Sequence, residues 1–227
     1  MRSLCKLFAF SGLLLFSVTV LAASEEAVER NNLGAKLLEQ GKAEAAVAEF
    51  QRALSLDPKY FPARLNLAYS YERADRIEDA IAAYREAINF QPRNFFAHNN
   101  LGVLYDKKGL HDAAIRELEI AVVIEPDNAM ALKNLETAKK NQAAIKAREA
   151  KVLQVEREAQ AKPNDPQASY NLARVYAFYG EKELAYEWLA KALKQGYRDI
   201  GYLRSDPALN SIRQERDFEL LLRPHSP

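Results

Sequence analysis

Apolar and small residues recur along the chain with a period of 34 residues. Within each period two stretches have the spacing of an amphipathic helix, and a short polar segment separates them. A proline follows the second stretch and predicts the end of its helix, because proline cannot donate a backbone hydrogen bond and disfavours helical geometry just before it. The pattern therefore predicts three consecutive helix hairpins, over residues 27–60, 61–94 and 95–128.

The hairpins share a pattern of small and large residues. With Ala27, Phe61 and Phe95 as position 1, each unit has a small residue at position 8 and Ala at positions 20 and 27. These small residues let two antiparallel helices approach closely, and large residues at positions 7, 11 and 24 fill the gaps. Position 15 is Gly41 or Gly109 in two units, which predicts a positive φ there, and Asp75 takes this place in the second unit.

This pattern resembles the tetratricopeptide repeat (TPR), a helix–turn–helix unit of 34 residues. The residues that carry the resemblance in the third unit are Leu101, Gly102, Tyr105, Ala114, Leu118, Ala121 and Pro126. The resemblance implies an all-α fold, a TPR α-solenoid in which helix hairpins stack into a right-handed superhelix. No single unit can bury its own apolar face, so stacking stabilises the fold.

After residue 128 the pattern changes. Residues 129–161 contain neither Gly nor Pro and are rich in strong helix formers, which predicts a degenerate repeat over 129–165 with one long bridging helix. A turn within Lys139–Gln142, giving two helices, is the alternative. Residues recur every seven positions in this segment, which allows either a coiled-coil seam or a solvated helix with one face on the solenoid. They are Ala138, Ile145, Val152 and Ala159.

A fourth regular repeat is predicted over residues 166–199. It has Leu172, Ala173, Tyr176, Gly180, Ala185, Leu189 and Ala192 at the positions that define the other units. Residues 200–227 predict a helical C-terminal cap and tail, with one short helix beginning at Asp206-Pro207 and another over Asp217–Leu222. The apolar residues expected to cover the last repeat are Leu203, Leu209, Ile212, Phe218 and Leu221.

Residues 1–22 have the pattern of a secretory signal peptide. Arg2 and Lys6 precede an apolar run over 7–21, and small residues up to Ala22 suit cleavage by signal peptidase. We expect cleavage to give a periplasmic or secreted protein with no membrane insertion afterwards; an uncleaved N-terminal anchor is the alternative. The only cysteine, Cys5, would leave with this segment, so the mature chain would have no disulfide and no thiolate site.

Signals of catalysis or cofactor binding are lacking. The chain has three histidines, His98, His111 and His225, and none has an acid or nucleophile at the spacing of a known motif. There is no glycine-rich phosphate loop and no cluster with metal-ligand spacing, so we predict no catalytic residue, no cofactor and no metal. The formal net charge of +1, with basic residues dispersed among acids, gives no general attraction to nucleic acid.

One row of residues stands out against this background. Position 6 is asparagine in all five units, at Asn32, Asn66, Asn100, Asn134 and Asn171. The TPR resemblance implies that this position faces the concave side, where a ladder of amides can bind the backbone of an extended peptide. The alternative is that the amides bond within the solenoid itself.

Neighbouring groove positions would then set the specificity. They are Leu65, Tyr69, Phe96, Asn99 and Val103, together with Pro62, Glu72 and Asp106. This mixed apolar and slightly acidic set favours a partner segment with aromatic or aliphatic side chains and a base. The residues with which other TPR modules clamp a chaperone's terminal carboxylates are largely missing from residues 27–128, because only Asn66 fits that set.

The sequence therefore predicts an exported, non-catalytic adaptor or assembly factor of the cell envelope that binds a protein or peptide in its concave groove. One alternative is a self-associating scaffold that dimerises through the helix over 129–161. A less favoured alternative is an enzyme that uses groove carboxylates such as Glu72 and Asp106.

Overall fold

The structure is a computed structural model that describes residues 25–225 of the chain. The predicted signal peptide over residues 1–22, with Cys5, lies outside the described residues, and so do the last two residues of the tail. All regular elements of the described part are helical, which confirms the all-α prediction. The chain forms two compact units, one up to Asn141 and one from Gln142 onward. No helix among residues 25–225 has the length and apolar character needed to cross a membrane.

The first unit consists of helix hairpins. Helix α1 spans 25–39 and is followed by α2 (Ala43–Leu56), α3 (Phe61–Arg73), α4 (Ile77–Phe90), α5 (Phe95–Lys107) and α6 (His111–Ile124). Each second helix ends two residues before the proline that was predicted to stop it. The predicted left-handed turn residues are confirmed, with φ of +74° at Gly41, +75° at Gly109 and +58° at Asp75.

In two hairpins a glycine of the first helix lies directly against a large side chain of the second helix. In α5, a Cβ atom on Gly102 would lie only 2.6 Å from Cγ of Leu118 in α6. In α1, a Cβ atom on Gly34 would lie 2.7 Å from the ring of Phe50 in α2. Leu118 and Phe50 are fully buried, so the absence of a side chain on each glycine is what lets the two helices approach this closely.

Helix α7 is a single helix over Ala129–Ala161, and it has no turn within Lys139–Gln142. Its N-terminal part belongs to the first unit, where Ala131 and Ala138 are fully buried. Its C-terminal part belongs to the second unit, where Val155 and Ala159 are buried.

The residues that recur every seven positions along α7 do not form a free seam. Ala138 packs in the core of the first unit, and Ala159 and Val152 pack in the core of the second, which leaves Ile145 as the exposed member of the set. The structure therefore gives no support to a coiled-coil seam along this row, because most of its residues pack against their own chain; dimerisation through the helix over 129–161 stays an alternative. The interpretation of a helix with one face on the solenoid describes them correctly.

The second unit adds α8 (Pro166–Phe178) and α9 (Lys182–Gln195) to the C-terminal part of α7. Three short α-helices follow, α10 (Ile200–Ser205), α11 (Asn210–Arg213) and α12 (Arg216–Leu222), together with 3₁₀ helices over Pro207–Leu209 and Arg223–His225. Leu203, Leu209, Ile212 and Phe218 are fully buried in one core with residues of α8 and α9. Leu222 is the fully buried leucine of α12, whereas Leu221, predicted for that role, is only partly buried.

Candidate functional site

The first helices of the repeats present one open face. Positions 2, 6, 9 and 13 of a helix lie on the same side, because they are separated by steps of three or four residues. In α1, α3, α5 and the start of α7 the residues at these positions are exposed or half-buried. We call their positions 2, 6 and 9 the open face; it contains Val28, Asn32, Ala35, Pro62, Asn66, Tyr69, Phe96, Asn100, Val103, Met130, Asn134 and Thr137.

Polar side chains join these first helices to one another. Nδ2 of Asn66 in α3 donates a 2.9 Å hydrogen bond to Oδ1 of Asn31 in α1. Nδ2 of Asn134 in α7 donates an equivalent 2.9 Å bond to Oδ1 of Asn99 in α5. Each bond joins residues 35 apart, so α1 lies beside α3 and α5 lies beside α7, with amides in the seam between them.

Asn99 does not line the open face, contrary to the prediction. Its side chain lies in the seam, where Oδ1 accepts from Asn134 and Nδ2 donates to Oδ1 of Asn100 over 3.0 Å, and the residue is only 2% exposed. Leu65, at the same position of α3, is half-buried and packs against the core around Ala68 and Tyr84. Position 5 therefore contributes to helix packing, and the open face is formed by positions 2, 6 and 9.

The amide of Asn100 is bound differently from those of Asn66 and Asn134. The residue that would pair with it in α3 is Leu65, which has no acceptor in its side chain. Nδ2 of Asn100 instead donates to the phenol oxygen of Tyr84 over 3.0 Å, and that phenol donates to Oε2 of Glu72 over 3.3 Å. Burial and the Glu72 carboxylate raise the pKa of Tyr84, which keeps its proton available for this bond.

The five asparagines at position 6 therefore have different surroundings. Asn32 is exposed on α1, whereas Asn171 belongs to the second unit, where its Oδ1 accepts from Gln167 over 3.0 Å. Asn66, Asn100 and Asn134 are half-buried, and each uses an N–H within the chain, as the structural alternative required. A primary amide has two N–H donors and a carbonyl acceptor, so these three side chains retain capacity to bind a ligand.

Large apolar side chains accompany the amides on the open face. Phe96 is 53% exposed, Met130 49%, Tyr69 41% and Val28 37%. Val28, Phe96 and Met130 occupy position 2 of their helices, as does the exposed Pro62. Sequence reasoning missed Val28 and Met130, although the spacing of 34 residues between successive members of this row was visible in the sequence.

The two carboxylates predicted to make this surface slightly acidic are mostly covered by neighbouring residues. The side chains of Glu72 and Asp106 are only 19% and 17% exposed. Glu72 accepts from Lys107 over 3.3 Å as well as from Tyr84, and Asp106 accepts from Nδ2 of Asn141 over 2.8 Å. Both carboxylates therefore hold neighbouring elements of the chain together, and the arrangement gives no support to the alternative of a carboxylate enzyme.

Two histidines also connect parts of the chain. His98 is 4% exposed, with Nδ1 2.7 Å from Oε2 of Glu117 and Nε2 3.0 Å from the carbonyl oxygen of Pro92. Nδ1 of His111 lies 2.6 Å from Oδ1 of Asp106. These pairs join α5 to its preceding loop and to α6. Among residues 25–225 no group of three or more His, Cys, Asp and Glu side chains is placed to hold a metal ion.

Sequence comparison matches part of the first unit to a known repeat family. Two family models, each described as tetratricopeptide repeat, match residues 37–95 and 83–116. A curated relative, a chloroplastic protein of Arabidopsis thaliana, is 41% identical over 56 residues. That match covers 25% of this chain and 17% of the relative, so it spans less than a fifth of the relative's length.

Solved structures resemble the chain in fold. The first TPR of Spaghetti (RPAP3), bound to the HSP90 peptide SRMEEVD, is 22% identical with a TM-score of 0.51, and the match covers 53% of this chain and 95% of that one. The TPR domain of Arabidopsis OM64 is 18% identical with a TM-score of 0.51, over 52% of this chain and 98% of that one. At these identities the likeness concerns the fold alone.

Proposed function

We propose that this chain, part of which matches models of the tetratricopeptide repeat, binds an extended segment of a partner protein on the open face of its first unit. The observation that carries this proposal is the row of exposed apolar side chains, Val28, Tyr69, Phe96 and Met130, beside amides that retain hydrogen-bonding capacity. Apolar pockets with a few polar groups are typical of peptide-binding grooves, in which the polar groups fix the backbone and the pockets select side chains.

The spacing of the helices suggests the form of the segment. Neighbouring packed helices lie about 8–10 Å apart, so the three intervals from α1 to α7 give the open face a length of about 24–30 Å. A polyproline-II segment rises about 3.1 Å per residue and returns to the same side every third residue, which is about 9 Å. We therefore infer a segment of about ten residues with large apolar side chains at every third position, each one meeting the next helix.

This mode differs from the capture of terminal carboxylates. The structurally similar TPR of Spaghetti (RPAP3) holds an HSP90 peptide. In this chain the corresponding positions of the first and third repeats are Asn31, Ala35, Phe96 and Asn100, which include no cation, and Asn31 is buried. Recognition of apolar side chains together with the peptide backbone fits these residues better than recognition of a carboxylate.

A peptide array tests the proposal. Ten-residue peptides of equal composition, with leucines at every third or at every second position, are offered to the purified protein and to Phe96→Ser and Val123→Ser variants. Val123 is a matched control, because it is 73% exposed but lies on α6, away from the open face. We expect a preference for the spacing of three and a loss of about tenfold in affinity in Phe96→Ser, since one buried aromatic anchor contributes more than about 1 kcal/mol.

Two results would contradict this proposal. One is an array in which peptides of either spacing bind equally well to the parent protein. The other is equal binding by Phe96→Ser and Val123→Ser, which would place the contact away from the open face.

We also propose that the protein acts outside the cytoplasm, in the cell envelope. The support is the order of a basic start, an apolar run over 7–21 and small residues ending at Ala22. We expect N-terminal sequencing of the native protein to begin at Ala23 and the protein to fractionate with soluble envelope proteins. An uncleaved N-terminus in a membrane fraction would support an anchor instead, and an uncleaved N-terminus in the cytoplasm would refute export.

A further inference from the structure

The second unit contains a cavity that is independent of the open face. It has a volume of about 430 Å³ and lies between the C-terminal part of α7, α8 and Ala208 of the cap. Val155 and Val175 contribute apolar surface to its wall. Phe178 also lines it and has 70% of its surface exposed, an unusual position for a phenylalanine in a folded chain. The cavity can therefore cover a large apolar side chain.

One cation of the cavity is held in place by the cap. Nε of Arg174 in α8 donates a 2.6 Å hydrogen bond to Oδ2 of Asp206. Asp206 is fully buried, and it also accepts from the phenol of Tyr170 and from the backbone N–H of Ala208. The guanidinium is therefore fixed through one nitrogen, and its two terminal nitrogens are left to donate elsewhere.

The other polar residues that line the cavity are Lys151, Glu158, Asn171 and Tyr179. Lys151 is exposed on α7 and makes no ion pair with any residue of the described range 25–225. The oxygens nearby are partly occupied, because Oε1 of Glu158 accepts from Gln154 over 2.9 Å and Oδ1 of Asn171 accepts from Gln167 over 3.0 Å. N–H donors thus outnumber free acceptors, so a complementary ligand must bring acceptor oxygens.

From this arrangement we propose that the cavity is a second peptide site, which binds a segment carrying an Asp or Glu side chain next to a large apolar one. The carboxylate accepts from Lys151 and from the terminal nitrogens of Arg174, while the apolar side chain packs on Phe178 and the valines. Lys151 and the terminal nitrogens of Arg174 offer N–H donors, and Glu158 is the carboxylate that lines the cavity, so this donor set favours an acidic segment. The protein would then bind two segments of different chemistry, one with each unit.

The test uses an array of peptides around a fixed pair of residues, Glu-Phe, Gln-Phe or Glu-Ala, followed by anisotropy titration of the tightest Glu-Phe peptide. We expect the Glu-Phe set to be retained most strongly and to weaken as salt is raised. Lys151→Glu should raise Kd by about tenfold, because it replaces an attraction by a repulsion. Phe178→Ser should raise it by a similar factor of about ten through loss of the apolar contact.

Arg157→Glu is the matched control, since Arg157 is exposed on the same helix but does not line the cavity. We expect the Kd of the Arg157→Glu variant for the Glu-Phe peptide to stay within about twofold of the parent value. Equal binding of Glu-Phe and Gln-Phe peptides, or equal effects of Lys151→Glu and Arg157→Glu, would overturn the proposal. Phe96→Ser should leave the Kd of the Glu-Phe peptide unchanged. The proposal for the cavity and the proposal for the open face can therefore be refuted independently of each other.

Discussion

Replacing Gly102 by valine is expected to lower the free energy of unfolding by about 3 kcal/mol, because the new side chain overpacks a buried contact between two helices. A Cβ atom at this position would lie 2.6 Å from Cγ of Leu118 and 3.1 Å from the backbone oxygen of Ala114. Leu118 is fully buried and cannot swing aside, so α5 and α6 would have to separate. Urea unfolding followed by circular dichroism measures the loss.

Two further variants make this prediction specific. Gly201→Val should change stability little, because the nearest atom to a new Cβ there is Oδ1 of Asp199 at 3.8 Å. The double variant Gly102→Val/Leu118→Ala should lose less than the sum of its single variants, since the smaller Leu118 replacement gives the valine room. Additive losses in this pair would show that the contact between α5 and α6 does not limit the packing.

The second large effect is expected at Asp206. Its carboxylate is fully buried and receives hydrogen bonds from Tyr170, Arg174 and the backbone of Ala208. Asp206→Asn removes the negative charge that pairs with Arg174. It also replaces one accepting oxygen by an N–H₂ group, which cannot accept the hydrogen bonds that Tyr170, Arg174 and Ala208 donate. We expect a loss of about 3 kcal/mol at neutral pH, because removing one partner of a buried polar network leaves the others unsatisfied.

The pH dependence of this effect has a definite sign. Burial alone would raise the pKa of Asp206, but the bonds from Tyr170, Ala208 and Arg174 outweigh it and hold the pKa below its usual value. A carboxyl with a lowered pKa stabilises the folded state above its unfolded pKa of about 4, and this contribution is lost as pH falls through the folded pKa. The stability gap between the parent and Asp206→Asn should therefore shrink as the pH is lowered below about 4.

The control for this experiment is Asp217→Asn, which removes an exposed carboxylate from the same cap. Its unfolding free energy should differ from that of the parent by less than about 0.5 kcal/mol at neutral pH. A gap for Asp206→Asn that stays constant from neutral to acidic pH would show that the carboxylate charge does not contribute to stability.

The parts of the fold that could be predicted from the sequence are those that repeat. The left-handed conformation of Asp75 is an example, because a single Asp gives a weak local signal, whereas its place in the period equals that of Gly41 and Gly109. Helix ends marked by Pro and Gly were predicted for the same reason. A backbone feature that recurs in register can be recognised even where one unit departs from the usual residue.

Contacts between helices were harder to predict. The heptad in α7 indicates a buried stripe, but it does not say whether a second chain or the same chain buries it; Ala138 and Ala159 pack within their own chain. In α12, Leu221 and Leu222 are neighbours about 100° apart on a helix, so a small error in phase exchanges the buried and the partly buried residue.

Contacts between helices also made the ligand-facing residues difficult to predict. Asn99 was placed on the ligand-facing surface from its position in the repeat, yet its side chain bonds to Asn134 in the next first helix and is buried there. The sequence carried a signal for this, since asparagines 35 residues apart occur as Asn31 with Asn66 and as Asn99 with Asn134. In both pairs the asparagine at position 5 is buried and the one at position 6 is half-buried, so the pair has to be recognised before the structural member can be told from the one that remains accessible to a ligand.

These amides place a condition on the order of the repeats. Deleting residues 61–94 would bring Asn100 opposite Asn31, where an acceptor is present. Deleting residues 95–128 would bring Asn134 opposite Leu65, so that Asn134 would depend on the phenol oxygen of Tyr84, as Asn100 does in the intact chain. A hairpin can therefore be removed without the loss of a hydrogen bond only where a neighbouring helix supplies an acceptor, so the polar side chains between units influence which shortened arrays remain stable.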